Sequence, residues 1–209
     1  RPLLAVAPHA GYAYSGPTAG RIYRRLAPWE YDRVFILAPS HRYRLSVVSV
    51  AGSAAYATPL GEAAVDRDVA GALAGAPGFC SVAAAHAAEH AEEIQLPFLQ
   101  VLYGEKLRIV PLLVPRLTEA GRAAAAAALA PFADGRSLFL VSSDFTHYGA
   151  AYGYVPFRDR IPERLAELDG GAIARLLARD PVGLLAYEQR TGITMCGVDA
   201  AALALRVPL

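Results

Sequence analysis

No stretch of the sequence holds about eighteen uninterrupted apolar residues, the length a membrane-crossing helix needs, because Arg, Glu, Asp, Pro or Gly interrupts every candidate. A spanning helix is therefore not expected, although 55% of the residues are hydrophobic and mean hydropathy is +0.29. Part of that hydropathy comes from 43 alanines. An excess of one charge is also lacking: 20 Lys and Arg stand against 19 Asp and Glu, a net charge of +1. The basic residues are scattered, so nothing is arranged to neutralise a run of phosphates, and nucleic acid is not an expected partner. Lysine is nearly missing, Lys106 being the one Lys in the chain. Together with the alanine load, that bias points to GC-rich coding and carries no functional reading. Cysteine is scarce: Cys80 and Cys196 lie far apart in unlike contexts, poor material for a disulfide scaffold in a 209-residue chain long enough to build its own core. A reducing cytoplasm is the expected compartment. Neither an initiator Met nor a signal-peptide layout precedes Arg1, so the sequence is expected to be trimmed at its N-terminus.

Among the segments that are present, apolar runs of strand length occur at Leu3–Ala7, Val34–Ala38, Ile109–Val114 and Leu138–Ser142. They lack polar alternation and suit strands buried on both faces. Between them lie helical patterns at Thr18–Leu26, Glu62–Leu73, Glu89–Leu102 and Glu119–Phe132, with a run of helices from Arg164 onward. The alternation predicts one α/β domain with a mixed or largely parallel sheet flanked by helices. The alanine tract Ala123–Ala128 is a surface helix, since alanine is the best helix former and Leu129 and Phe132 give it something to bury. Leu45–Ala57 suits a strand and hairpin near Thr58-Pro59, and Tyr148–Pro162 an ordered loop. There is no internal repeat.

Three of the buried runs end alike. Leu3–Ala7 leads into Pro8-His9, Val34–Ala38 into Pro39-Ser40-His41, and Leu138–Ser142 into Ser143-Asp144-Phe145-Thr146-His147. In open α/β sheets ligands bind outside the carboxyl ends of the strands, so these three endings can converge. Imidazole is the commonest protein metal ligand, and three His with an anionic residue make an ordinary donor set for a transition metal. Gly11 and Gly16 flank Tyr12-Ala13-Tyr14-Ser15, a spacing for a tight turn before a helix; neither G-x-x-x-x-G-K-[ST] nor G-x-G-x-x-G is present, so no phosphate loop is expected.

His86-Ala87-Ala88-Glu89-His90 matches H-x-x-E-H, the inverted zinc-protease signature. Only three of its five places are specified and alanines fill the rest, so the preferred reading of His86 is a solvated helix residue. Glu93 suits either an acceptor for a ligand imidazole or an exposed charge of an amphipathic helix. Cys80, among apolar neighbours, is expected to be buried and inert.

Several long blocks carry a resemblance. His9-Ala10-Gly11-Tyr12-Ala13-Tyr14-Ser15-Gly16 after Pro8, Ala38-Pro39-Ser40-His41, Glu89 through Gln100, Val141 through Gly149 and Cys196-Gly197 resemble, in order and over nearly the whole chain, the signature blocks of the Memo family. The similarity is to the bacterial and archaeal branch called AmmeMemoRadiSam system protein B, whose fold resembles that of LigB-type (class III) extradiol dioxygenases. The resemblance implies a metal set of His9, His41 and Cys196, with His147 as acid/base and Asp144 orienting it or a bound water. His90, Glu93 and Tyr12 are the candidates for supporting the ligands. Cys196 stands where the dioxygenases carry a carboxylate. Its softer, oxidisable thiolate makes iron or copper the favoured single ion, with zinc as a further candidate, and argues against simple ring cleavage. The implied function is a metal-dependent, oxidoreductase-like enzyme acting on a small molecule. The alternatives are a non-catalytic protein holding a peptide or handling copper or iron in the same pocket, and a metal-dependent hydrolase. The chain departs from the usual Glu-His-Ser in having Ala91. Residues 1–209 are expected to form one domain lacking the family's N-terminal start and its C-terminal strands.

Overall fold

Runs of Val, Leu, Ile and Phe with no polar face must be covered on both sides, and in the computed structural model, which describes residues 1–209, the runs starting at Val34, Ile109 and Leu138 form the middle of one sheet. Leu3–Ala7, expected to be covered as well, lies at the sheet edge with only Ala7 fully buried. In chain order the strands are β1 (Leu4–Ala7), β2 (Arg33–Pro39), β3 (Val48–Val50), β4 (Ala55–Thr58), β5 (Gly61–Val65), β6 (Phe79–Cys80), β7 (Arg108–Val114) and β8 (Ser137–Ser142). The helices are α1 (Tyr12–Leu26), α2 (Arg67–Ala74), α3 (Ala83–Ala87), α4 (His90–Glu93), α5 (Leu96–Tyr103), α6 (Glu119–Leu129), α7 (Ile161–Leu177), α8 (Pro181–Thr191) and α9 (Val198–Ala204). The expected α/β domain is the observed one.

The central order is β1-β8-β2-β7, all parallel, with β3 antiparallel to β7 and β6 parallel to β3. The hairpin β4-β5 attaches through β5 to the same edge of β7. Every residue of β8, and all but the first of β2 and β7, is buried, and Phe35 of β2 stacks on Phe139 of β8 at 4.6 Å between ring centroids. Helices α1 and α4 pack on β1 and β2, and α9 packs on β2 and β8. No helix is long and apolar enough to cross a membrane.

Three expected helices differ in their limits. Glu62–Leu73 is a strand and then a helix: Ala63 and Val65 point inward with period two as β5 pairs with β7, and Asp66 then caps α2 by accepting from the Val69 amide. Glu89–Leu102 breaks into α4 and α5 around Gln95, with Pro97 in the first turn of α5. The Gly11–Gly16 segment is no separate turn, since α1 already starts at Tyr12 and carries Pro17 inside it. The alanine tract lies in α6 as expected, with Ala125 and Leu129 buried beneath it.

Helix α9 is buried along its whole length, which its alanines permit because a small side chain lets the backbone approach the sheet. Its start is crowded: a Cβ on Gly197 would lie 2.5 Å from the Ser143 Cβ and 2.9 Å from the Ser142 carbonyl oxygen, so only glycine fits beside the end of β8. Asp199 then anchors the helix. Its Oδ1 accepts from Arg122 Nη2 at 2.7 Å and from the Leu117 amide at 3.2 Å, with Asp199 and Arg122 both buried. Removing Asp199 takes from the buried Arg122 its nearer, buried anion, leaving only the largely exposed Glu119 at 3.3 Å, and takes a contact from Arg116 as well. Asp199→Ala is therefore expected to lower the unfolding free energy by about 3 to 5 kcal/mol, read by urea denaturation; a loss under about 1 kcal/mol would show that the pair does not anchor α9.

Candidate metal centre

The parallel order places β8 between β1 and β2, so the three His-bearing strand endings are neighbours on one edge of the sheet. There the donor atoms of His9, His41 and Cys196 lie within 4.8 Å of one another. Cys196 arrives from the other end of the chain, on the loop leading into α9, and its Sγ sits 3.2 Å from His9 Nε2. Two donors sharing one tetrahedral ion at ordinary Zn–N and Zn–S lengths would be about 3.5 Å apart. The set therefore fits a transition metal with little movement.

Hydrogen-bond accounting fixes which ring nitrogen each imidazole offers. The Ser142 hydroxyl donates to the Ala91 carbonyl at 2.6 Å and accepts from Gln95 Nε2 at 2.8 Å, so its 2.9 Å contact with His9 Nδ1 has the ring as donor. His9 is almost fully buried, and its Nε2 faces Cys196 Sγ. His41 donates through Nδ1 to Glu89 Oε1 at 2.9 Å, while its backbone amide donates to Oε2 at 2.6 Å. His147 donates through Nδ1 to the Thr194 carbonyl at 2.9 Å, and its amide donates to Thr194 Oγ1 at 2.7 Å. Each ring is thus held by its Nδ1–H, the arrangement by which outer partners orient metal-binding histidines.

The charges follow from these contacts. Burial pushes the Glu89 carboxyl up, but the hydrogen bonds from the His41 ring and amide and the Ala91 amide outweigh it and bring it down to about 2. His41 is raised to about 9, first by its hydrogen bond with Cys196 and then by that with Glu89. Burial raises the Cys196 thiol, yet hydrogen bonds from His41 and His9 and the Asp144 amide bring it down to about 6. The resting state at neutral pH is a thiolate facing an imidazolium, and the thiolate is the metal-binding form of Cys.

Asp144 closes the other side. Its Oδ1 accepts from the amides of His9 and Ala10, and its Oδ2 lies 3.9 Å from His9 Nε2 and 4.0 Å from His147 Nε2. All five residues expected at the site therefore share it. The supporting residues differ from expectation. Of the two readings of Glu93, the exposed charge is the observed one, and the carboxylate that holds His41 is Glu89. Tyr12 is half-exposed and donates to the Ile94 carbonyl, away from the ligands. His90 does lie beside the set, its ring centroid 5.1 Å from that of His41 and 5.5 Å from that of His9. Ser142, Gln95 and Thr194 were not expected; a serine ending a fully buried strand and a glutamine inside an apolar helical pattern were their signals.

His86 overturns its expected solvation. It is buried, with Nε2 3.0 Å from Ser49 Oγ and Nδ1 2.9 Å from Glu92 Oε2, and Tyr56 donates to Glu92 as well. The protease signature needs one continuous helix, but the backbone is extended at Glu89, which separates α3 from α4 and sends His86 and His90 into different surroundings. Cys80 is partly exposed, not buried, because β6 is a two-residue strand at the sheet edge.

Fold and site together define an α/β protein with a candidate His/His/Cys metal centre at the carboxyl ends of parallel strands. Residues 2–208 match the model of the family described as Memo-like protein, and the chain belongs to that family. It is 37% identical over 214 residues to a MEMO1 family protein of Thermococcus onnurineus, covering 96% of this chain and 72% of the relative. A MEMO1 family protein of Methanopyrus kandleri is 35% identical over 94% of this chain and 68% of its own length. The protein memo-1 homolog of Caenorhabditis elegans is 32% identical over 92% of this chain and 57% of its own length.

Two outcomes follow for the metal-free protein. Alkylation of Cys196 by iodoacetamide, mapped by mass spectrometry to separate it from Cys80, is expected to rise with pH about a midpoint near 6. In Glu89→Gln, which weakens the hold on His41, that midpoint should move upward; a midpoint near the ordinary 9 in the parent protein would remove the thiolate. Glu89 also sets an acid limit. Its carboxyl falls from an ordinary 4.5 to about 2 on folding, so its contribution to stability is full above the unfolded value and is lost as pH falls through the folded one. The stability difference between parent and Glu89→Gln should shrink between pH 5 and pH 2 in urea titrations.

Proposed function

We propose that the chain binds one transition-metal ion through His9, His41 and Cys196 and acts as an oxidoreductase-like enzyme on a small molecule bound beside Asp144 and His147. The observation that carries this reading is that the donor atoms of His9, His41 and Cys196 lie within 4.8 Å of one another at the strand ends, with both imidazoles held by Nδ1–H and with Asp144 and His147 beside them. An ion held by these residues would supply Lewis acidity or electron exchange, and the two-nitrogen, one-sulfur donor set suits iron or copper, with zinc also compatible.

The protein's own residues supply position and proton traffic. Ser142 and Glu89 keep His9 and His41 from rotating, and the Asp144 amide, 3.3 Å from Cys196 Sγ, stabilises the thiolate. His147 keeps its Nδ1 proton on Thr194, so its Nε2 is the atom that takes a proton from a substrate hydroxyl and returns it. Asp144, pinned by two backbone amides, orients that imidazole and offsets the positive charge it gains. The side chain of His147 is 31% exposed, which gives a small molecule access to it.

A second reading is metal handling without turnover, and the Cys196 thiolate favours it, because a soft, oxidisable ligand binds copper(I) well. The two separate at His147. Metal analysis of anaerobically purified protein is expected to find about one ion per chain. His9→Ala, His41→Ala and Cys196→Ser should each lower that content at least tenfold, whereas His86→Ala should leave it unchanged. His147→Ala should keep the metal; loss of substrate oxidation in that variant supports the enzyme, and an unchanged metal-transfer rate with no turnover in the parent supports handling. Unchanged metal content in Cys196→Ser would sink both.

A further inference from the structure

We propose that His41, Glu89 and His90 form an outer cation station through which a borderline divalent transition-metal ion enters the inner His9, His41, Cys196 set; this rests on the inner set being a metal site. The donor atoms of the three outer residues lie within 4.8 Å of one another, as the inner ones do. His41 Nδ1 is 2.9 Å and His90 Nδ1 is 3.1 Å from the same carboxylate oxygen, Glu89 Oε1. Neighbouring donors on one ion with metal–nitrogen and metal–oxygen lengths near 2.0 to 2.2 Å lie about 3 to 3.5 Å apart.

Access orders the two sets. The His90 side chain is 54% exposed and that of His41 31%, whereas His9 is 2% exposed. An ion arriving from water therefore meets His90 first. Glu89, its side chain only 1% exposed, supplies a negative charge at the base of the entrance, where water screens it least. His41 belongs to both sets: Nδ1 faces Glu89, and the other face of the ring looks toward Cys196. An ion held at the outer set takes the place of the Nδ1 proton that His41 otherwise donates to Glu89, and that proton goes to solvent. A proton returns to Nδ1 when the ion moves to the inner set, where the same ring offers its other nitrogen.

The chemistry of the two sets gives the passage a direction. Two nitrogens and a carboxylate accept zinc(II), iron(II) or copper(II), while the thiolate of the inner set adds a softer donor and a stronger hold. Magnesium and calcium, which favour all-oxygen shells, gain nothing from the imidazoles or the thiolate and are not retained. The station is thus a selective entrance as well as a route.

The test uses zinc(II) alone, titrated into the full chain after metal stripping under anaerobic conditions and followed by calorimetry. The double variant His9→Ala/Cys196→Ser lacks the inner set and is expected to bind one zinc(II) roughly 100-fold more weakly than the parent, and adding His90→Ala should weaken it roughly tenfold more. In the single variant His90→Ala the final affinity should stay within about threefold of the parent while stopped-flow uptake slows about tenfold. His90 is exposed, so this variant keeps the fold, which circular dichroism verifies, and its uptake rate decides the matter if the double variant does not fold. Uptake as fast as the parent's, or outer binding insensitive to His90→Ala, overturns the station and leaves the inner site standing. A parent protein that takes up no zinc(II), iron(II) or copper overturns the inner site and the station with it.

Discussion

The parallel pairing of β8 between β1 and β2 is the constraint on which the rest depends. Parallel strands end at the same edge, and adjacent strands lie about 4.8 Å apart, so residues just past three such ends are brought close together, His9 and His41 with Cys196 and His147 beside Asp144. The burial that enforces this pairing is total along β8 and nearly so along β2. A polar residue inside either strand would have no partner there. The histidines therefore follow the strands, where the chain first meets polar surroundings.

The end of β8 then organises its neighbours through one hydroxyl. Ser142 joins His9 from the β1 ending, the Ala91 carbonyl from α4 and Gln95 from the break between α4 and α5. Gln95 extends the network to Tyr23 on α1, at 2.6 Å, and to the Pro8 carbonyl. Every partner is buried or nearly so, and the low local dielectric makes an unpaired polar group costly, which holds the network to one arrangement. A proton position on His9 is thereby decided by helices far from it in sequence. Glu89 and Thr194 perform the same service for His41 and His147 from elements equally remote.

Charge in the site is similarly cooperative. Glu89 favours the His41 imidazolium, the imidazolium favours the Cys196 thiolate, and the Asp144 amide adds to that preference. The chain of contacts runs from the buried Glu89 to the sulfur of Cys196 on the loop before α9. His41 is the member common to these contacts.

Much of this protein was legible in its sequence because the signals were local. Unbroken apolar runs determine strands, covered on both faces in three cases and at the sheet edge for Leu3–Ala7, and a histidine just past such a run lies at a strand end whatever else the chain does. The convergence of the His9, His41 and His147 strand endings followed from that pattern, while the family resemblance, not the pattern, put Cys196 and Asp144 beside them. Where the reading went astray, the deciding interaction was non-local. Glu62–Val65 suits a helix alone but takes the strand form because the edge of β7 is there to pair with. Glu89 and Glu93 are alike as carboxylates in one helical pattern. The extended backbone at Glu89 turns that residue inward to His41 and leaves Glu93 in water. His86, read as solvated, is buried because β3 and α4 bring Ser49 and Glu92 to its two ring nitrogens. Sequence alone determined which chemical groups reach the strand ends; only the tertiary structure decided which carboxylate is buried and which ring nitrogen is free, because burial and hydrogen-bond partners come from segments the local pattern cannot see.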